Sequence, residues 1–131
     1  MKAANPQQTF EYVPECDRKL PVTEQTRFTL RPLKPNEESL IDNLISFSEE
    51  GTNMRLGEQN QIALSCGVVE VTNFQDANGS EVIVSRTGKK LHGIVNTLTD
   101  EFLALIPKSI RAELASEIIK GNDLGDEDAK N

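Results

Sequence analysis

Val68-Val69-Glu70-Val71-Thr72-Asn73-Phe74-Gln75-Asp76-Ala77-Asn78-Gly79-Ser80-Glu81-Val82-Ile83-Val84 is the stretch whose reading decides the fold class. Val69, Val71 and Phe74 belong to a strand-like run, Asn78-Gly79 is the preferred pair for a tight type I′ turn, and Val82-Ile83-Val84 returns on the other side. The reading is a β-hairpin, and hence antiparallel pairing.

Upstream, Thr26-Arg27-Phe28-Thr29-Leu30 predicts another strand, with Phe28 and Leu30 on one face and Arg27 and Thr29 on the other, stopped by Pro32. Phe10-Glu11-Tyr12-Val13-Pro14 also alternates, but Pro14 cannot donate to a ladder, so this is an edge strand or extended lead. Helical signals fill the spaces between. Pro35 suits a first turn, Glu37 and Glu38 suit the positive end of a helix, and Leu40, Ile41, Leu44 and Ile45 follow at helical spacing, predicting a helix over Pro35 to Ser48. Glu49 to Gly57 reads as a loop, and Glu58 to Cys66 as a helix with Ile62, Ala63 and Cys66 on one face and Gly67 as its cap. Ser85 to Gly93 is a basic connection that either folds back as strand or stays loop. Thr97 to Ile106 looks helical, and Pro107 opens a last helix whose Ile110, Leu114, Ile118 and Ile119 form an apolar stripe ended by Gly121.

The expected fold is α+β: a small antiparallel sheet from the segments near residues 10–14, 26–31, 68–74 and 80–85, packed on one side by three or four helices. Residues 10–121 form one domain, preceded by a flexible arm, 1–9, and followed by an acidic tail, 122–131. That division suits a chain of 131 residues.

Hydrophobic residues make up 37% and aromatics only 5%, with no Trp, so the core must be a modest one of Leu, Ile and Val. Such a core suits a protein that gains stability from partners. With 21 acidic against 14 basic residues and a net charge of −7, the chain is disfavoured for sequence-independent binding of nucleic acid, which needs clustered Lys and Arg. Cys16 and Cys66 lie far apart without a CxxC spacing, and Met1 to Gln8 lacks the basic start and apolar run of a secretion signal; reduced thiols in a cytoplasm are expected. No apolar run approaches the roughly 20 residues needed to cross a bilayer.

Catalytic readings fail in turn. Nucleophilic triads need a base beside a Ser or Cys, and the single histidine, His92, stands between Leu91 and Gly93 in a stretch that reads as connector and as a surface histidine. Cys16, Cys66 and His92 lack the paired spacing of a structural zinc site. Asp76, Asn78 and Ser80 fall at the first, third and fifth places of a calcium loop, but Glu81 stands where Gly belongs and Thr87 where the bidentate Glu belongs. Gly88-Lys89-Lys90 lacks the upstream glycine and following hydroxyl of a phosphate loop. No cofactor and no metal is expected.

Tyr12-Val13-Pro14, Asp17-Arg18, Leu20-Pro21 and Gln25-Thr26-Arg27-Phe28-Thr29-Leu30-Arg31-Pro32-Leu33 resemble the start of small morphogenesis proteins of tailed bacteriophages, the tail assembly chaperones. Asn73-Phe74, Asp76, Gly79, the Leu-rich run into Ile106-Pro107, Glu113-Leu114-Ala115, Ile118 and the closing Glu127-Asp128-Ala129-Lys130-Asn131 are similar to that family too. The chain departs from many such proteins in having Val69 to Thr72 where they carry a Trp shortly before the Asn-Phe pair.

The resemblance implies a non-enzymatic protein of the host bacterial cytoplasm that binds the long helical tape-measure protein and promotes tail-tube assembly. Its partners would be phage tail proteins, with neither nucleic acid nor membrane. A tape measure exposes a long apolar helix, and an acidic domain with amphipathic helices can cover it while adding solubilising charge. The candidate contact residues are Leu40, Leu44 and Ile45 on one helix and Ile110, Leu114 and Ile118 on another; either stripe can instead be core. The acidic tail is either a solvated terminus or an electrostatic hook for a basic partner. Two other functions fit the sequence: a structural virion component, such as a head-tail connector or tail subunit, and a phage-encoded inhibitor of a host defence protein.

Overall fold

The computed structural model describes residues 1–3, 5, 7–43, 45–48, 51–54, 56–91 and 94–121. In chain order the elements are β1 (Phe10–Tyr12), two single-turn 3-10 helices (Glu15–Asp17 and Val22–Glu24), β2 (Arg27–Leu30), α1 (Pro35–Asp42), β3 (Ile45–Ser48), β4 (Gly51–Met54), α2 (Leu56–Gly67), β5 (Val68–Thr72), β6 (Lys90–Leu91), β7 (Ile94–Val95), α3 (Asp100–Leu105) and α4 (Lys108–Lys120). The fold is α+β, with a three-stranded antiparallel sheet in the order β1-β2-β5. The hairpins β3-β4 and β6-β7 form separate two-stranded ladders.

Strand alternation in β2 sends Phe28 and Leu30 to the core and leaves Arg27 and Thr29 on the other face. Phe28 pairs with Val71 and Leu30 with Val68, so four apolar side chains share one face. Between these pairs the register slips, because Thr29 opposes Glu70 while Leu30 opposes Val68. Val69 is therefore an extra residue, a β-bulge, and it is exposed while Val68 and Val71 are buried. The alternation that places Val69 with Val71 is broken by this bulge.

α2 is buried along its whole C-terminal half, from Ile62 to Gly67, because it is covered on several sides by α1, α4 and β5. It packs most extensively on α4, and Gly67 is required at that crossing: a Cβ there would lie 2.4 Å from Ile118 Cγ2 and 2.6 Å from Ile118 Cδ1. Gly67 thus serves close helix packing rather than a left-handed cap, since its φ is not positive. Just past that same end of α4, a Cβ on Gly121 would lie 3.2 Å from Phe10 Cε1, so the close of the last helix abuts the first strand.

α1 stops at Asp42 instead of continuing to Ser48, because Ile45–Ser48 pairs with Gly51–Met54 as a hairpin. Leu44 lies outside the described residues, as do Glu49 and Glu50 of the expected loop. α3 begins after Thr99, whose Oγ1 accepts from Phe102 N at 3.1 Å and caps the first turn. It ends before Pro107, which sits at the N-cap of α4.

The turn after β5 differs from the type I′ expectation. Gly79 N donates to Asp76 O at 3.0 Å and Asp76 N to Ser80 O at 2.9 Å, with positive φ at Gly79 alone; this is the three-residue loop with a left-handed glycine. The return arm, residues 80–85, makes one bridge, Gln75 with Glu81, and does not extend it as a fourth strand. The Ser85 to Gly93 connection folds back as strand at Lys90–Leu91; His92 and Gly93 lie outside the described residues, as does the tail, 122–131.

Candidate protein-docking surface

Residues 13–26 leave the sheet between β1 and β2 and make no strand pairing of their own. Their backbone is held by side chains of the loop itself and by two from distant parts of the chain, Glu113 and Asn73. Glu113 on α4 accepts two donors through one carboxylate oxygen: the Tyr12 hydroxyl and, at 3.0 Å, Glu15 N. Arg18 Nε donates to Val13 O at 3.1 Å while its guanidinium lies 5.3 Å from the centre of the Tyr12 ring. Asp17 Oδ2 accepts from Thr26 N at 2.9 Å, closing the loop on itself.

Asn73 pins the other end. Its backbone takes positive φ, where Asn is tolerated, and this turns the side chain so that Nδ2 donates to Thr23 O at 2.9 Å and Gln25 O at 3.1 Å. Thr26 Oγ1 answers by donating to Asn73 O at 2.8 Å. Phe74, next in sequence, packs its ring 6.2 Å from that of Phe28, anchoring the pair to the core. What this scaffold holds out is apolar: Leu20 is 41% exposed and Val22 67% exposed, separated by Pro21. A shallow cavity of about 410 Å³, lined by Thr23, Glu24, Thr26, Asn73, Phe74 and Gln75, adjoins the loop.

Burial pushes the Tyr12 phenol well above its ordinary range, and the hydrogen bond to Glu113 with the charges of Glu113 and Glu117 adds to this, against a smaller opposing pull from Arg18. The phenol therefore stays a donor, as its bond to the Glu113 carboxylate requires.

A second concave feature lies where β2, α1 and the end of α2 meet: a cleft of about 670 Å³. Arg31 grips Glu37 with two parallel bonds of 2.9 Å, and Glu37 Oε1 also accepts from Lys34 N at 2.7 Å, so one carboxylate caps α1 and ties it to the strand. Burial alone would raise the Glu37 carboxyl, but the bonds from Arg31, Lys34 N and the Cys66 thiol, with the Arg31 charge, hold it below its ordinary value. The Cys66 thiol is pushed up to about 12 by burial and by the Glu37 charge, which leaves it an unreactive donor. Arg86 ties the end of α2 to β5 and to the segment before α3, donating to Ser65 O, Val68 O and Asn96 O. The bulged Val69 and Leu40 also line this cleft.

Of the contact residues expected from sequence, Leu114 and Ile118 are fully buried and belong to the core, so they are not available as contact surface in this fold; their stripe faces α2. Ile110 is half-buried against that core, and Leu40 packs against it from the edge of the cleft. Ile45 falls in β3 rather than on a helix, and Leu44 is outside the described residues. The structure therefore does not bring the six together on one surface. Leu20 and Val22 carried no periodic signal, and only an apolar pair around a proline in a polar stretch marks them in the sequence.

The other motifs resolve into local structure. Asp76 Oδ1 accepts from Asn78 N at 2.8 Å and Ser80 N at 3.0 Å, so that carboxylate serves the turn. Gly88 has positive φ and its N donates to Asn96 Oδ1 at 2.8 Å, making Gly88-Lys89-Lys90 part of a turn. Cys16 is exposed and Cys66 buried, and they are not bonded to each other. No group of three His, Cys, Asp or Glu able to hold a metal occurs among the described residues, and no helix among them is long and apolar enough to cross a membrane. Comparison with family models, curated proteins and solved structures finds no match to this chain.

Proposed function

We propose that this protein is a non-enzymatic tail morphogenesis protein of a tailed bacteriophage, which binds the apolar helix of a tape-measure protein and promotes tail-tube assembly in the bacterial cytoplasm. The observation that carries the reading is the loop of residues 13–26, held by Glu113 of α4 and Asn73 after β5 and closed on itself by Asp17, while Leu20 and Val22 stay exposed. A loop held this way has already lost its conformational freedom on folding, so less is lost again when a partner covers its apolar tip. The residues that pin it, Tyr12, Asp17, Arg18, Asn73 and Glu113, are among those by which the chain resembles tail assembly chaperones. The apolar contact is small, which suits a partner that must be handed on when the tube polymerises. The net charge of −7 keeps the complex dispersed.

Co-expression with a tape-measure fragment tests this. The parent protein is expected to keep the fragment soluble and to co-purify with it, while a Leu20→Ser/Val22→Ser variant loses the fragment yet stays folded. Presence of the protein in purified particles at fixed copy number would replace this function with that of a structural virion component.

A further inference from the structure

The cleft between β2, α1 and the end of α2 plays no part in the docking loop, yet its charge is unusual for this protein. An acidic chain places two guanidiniums, Arg31 and Arg86, on the lining of one cavity, with Glu37 as the only carboxylate there among the described residues. Both cations are partly withdrawn from water and near enough that the charge of Arg31, after burial itself, makes Arg86 hold its proton less tightly. Among the described residues the acceptors of Arg86 are the neutral carbonyl oxygens of Ser65, Asn96 and Val68, and no carboxylate is bonded to it. Arg31 spends Nη1 and Nη2 on Glu37 and Pro32 O, and among the described residues neither Arg31 Nε nor Arg86 Nε has an acceptor. Thr9, Asn36 and Asn96 add neutral polar groups to the lining.

We propose that this cleft binds an oxyanion, a carboxylate or a phosphate, whose oxygens accept from the unused N–H groups of Arg31 and Arg86. Two cations facing one fixed carboxylate leave room for one further negative charge, and planar guanidiniums match the paired oxygens of either group. The anion comes either from a small solute or from an acidic side chain of a partner. Arg31 and Arg86 both hold the fold together, so replacing them would not isolate binding. Asn36, exposed at the second position of α1, provides the handle. An acid there is favoured by the helix dipole, and a lysine points into the same cavity without disturbing the core.

The experiment is a titration of the full chain, following the arginine Nε–H resonances by NMR at constant ionic strength, with inorganic phosphate in one arm and an acetylated triglutamate peptide in the other. Saturable shifts of both Arg31 and Arg86 are expected, with N36D weakening and N36K strengthening binding about three- to tenfold each. Tighter binding of the peptide assigns the site to a partner's side chain, and tighter binding of phosphate assigns it to a free anion. The proposal is overturned if neither probe gives saturable shifts, or if N36D and N36K titrate like the parent.

Discussion

Tyr12 and Glu113 stand 101 positions apart and meet through one hydrogen bond, on which the docking loop hangs. Glu113→Leu removes the acceptor of both the Tyr12 hydroxyl and Glu15 N, and is expected to lower stability by about 1–3 kcal/mol in urea denaturation. The same contact gives a pH dependence. A phenol that ionises less readily folded than unfolded stabilises the protein below its unfolded value of 10.0, and that contribution disappears as pH rises above it. Stability should therefore fall on the alkaline side of pH 10.0, and Tyr12→Phe should flatten that fall. A Tyr12→Phe protein as alkali-sensitive as the parent would remove the phenol from this role.

Between elements, the α2–α4 crossing is set by a missing side chain. Gly67→Ala drives a methyl into Ile118, which is fully buried, and should cost about 1–3 kcal/mol by overpacking. Ile118→Ala alone opens a cavity at a cost of about 2–5 kcal/mol. Together they should be markedly less than additive, because the alanine at 118 lacks the Cγ and Cδ atoms that the new methyl meets. Additive costs measured by chemical denaturation would place the clash elsewhere. This crossing also shows what the sequence conveys and what it conceals. The stripe Ile110, Leu114, Ile118 announced a helix with a covered face, and the alternation of Phe28 and Leu30 announced β2, since each periodicity is local. The partner of each face is not local, so nothing near Gly67 marked it as a packing contact rather than a cap. Leu40, Ile41, Leu44 and Ile45 fit a helix by spacing, but Ile45 and Phe47 also alternate, and pairing with Gly51–Met54 decided between the two. The bulge at Val69 was hidden for the same reason, as it exists only relative to β2.

At the scale of the molecule, the core and the proposed interface are separable. Leu20 and Val22 lie outside the buried core, at 41% and 67% exposed, so Leu20→Ser/Val22→Ser should lower unfolding stability by about 1–2 kcal/mol, leaving the protein folded while abolishing capture of a tape-measure fragment. The pinned loop was legible in its parts, through Asp17-Arg18 and Asn73-Phe74, but not as a site, because only the tertiary fold brings α4 and the turn after β5 to it. The abutment of Gly121 on Phe10 has a different consequence. The described fold begins and finishes at one corner, so the covalent order of its elements is nearly a closed ring. Residues 1–9 and 122–131 together span more than enough chain to join those ends, and new termini opened at the exposed Gly79 turn would disturb the Asp76–Ser80 turn bonds and the short 75–81 bridge but none of the three-stranded sheet. Such a circular permutant should fold with β1-β2-β5 and the α2–α4 crossing unchanged, as its amide NMR spectrum would show.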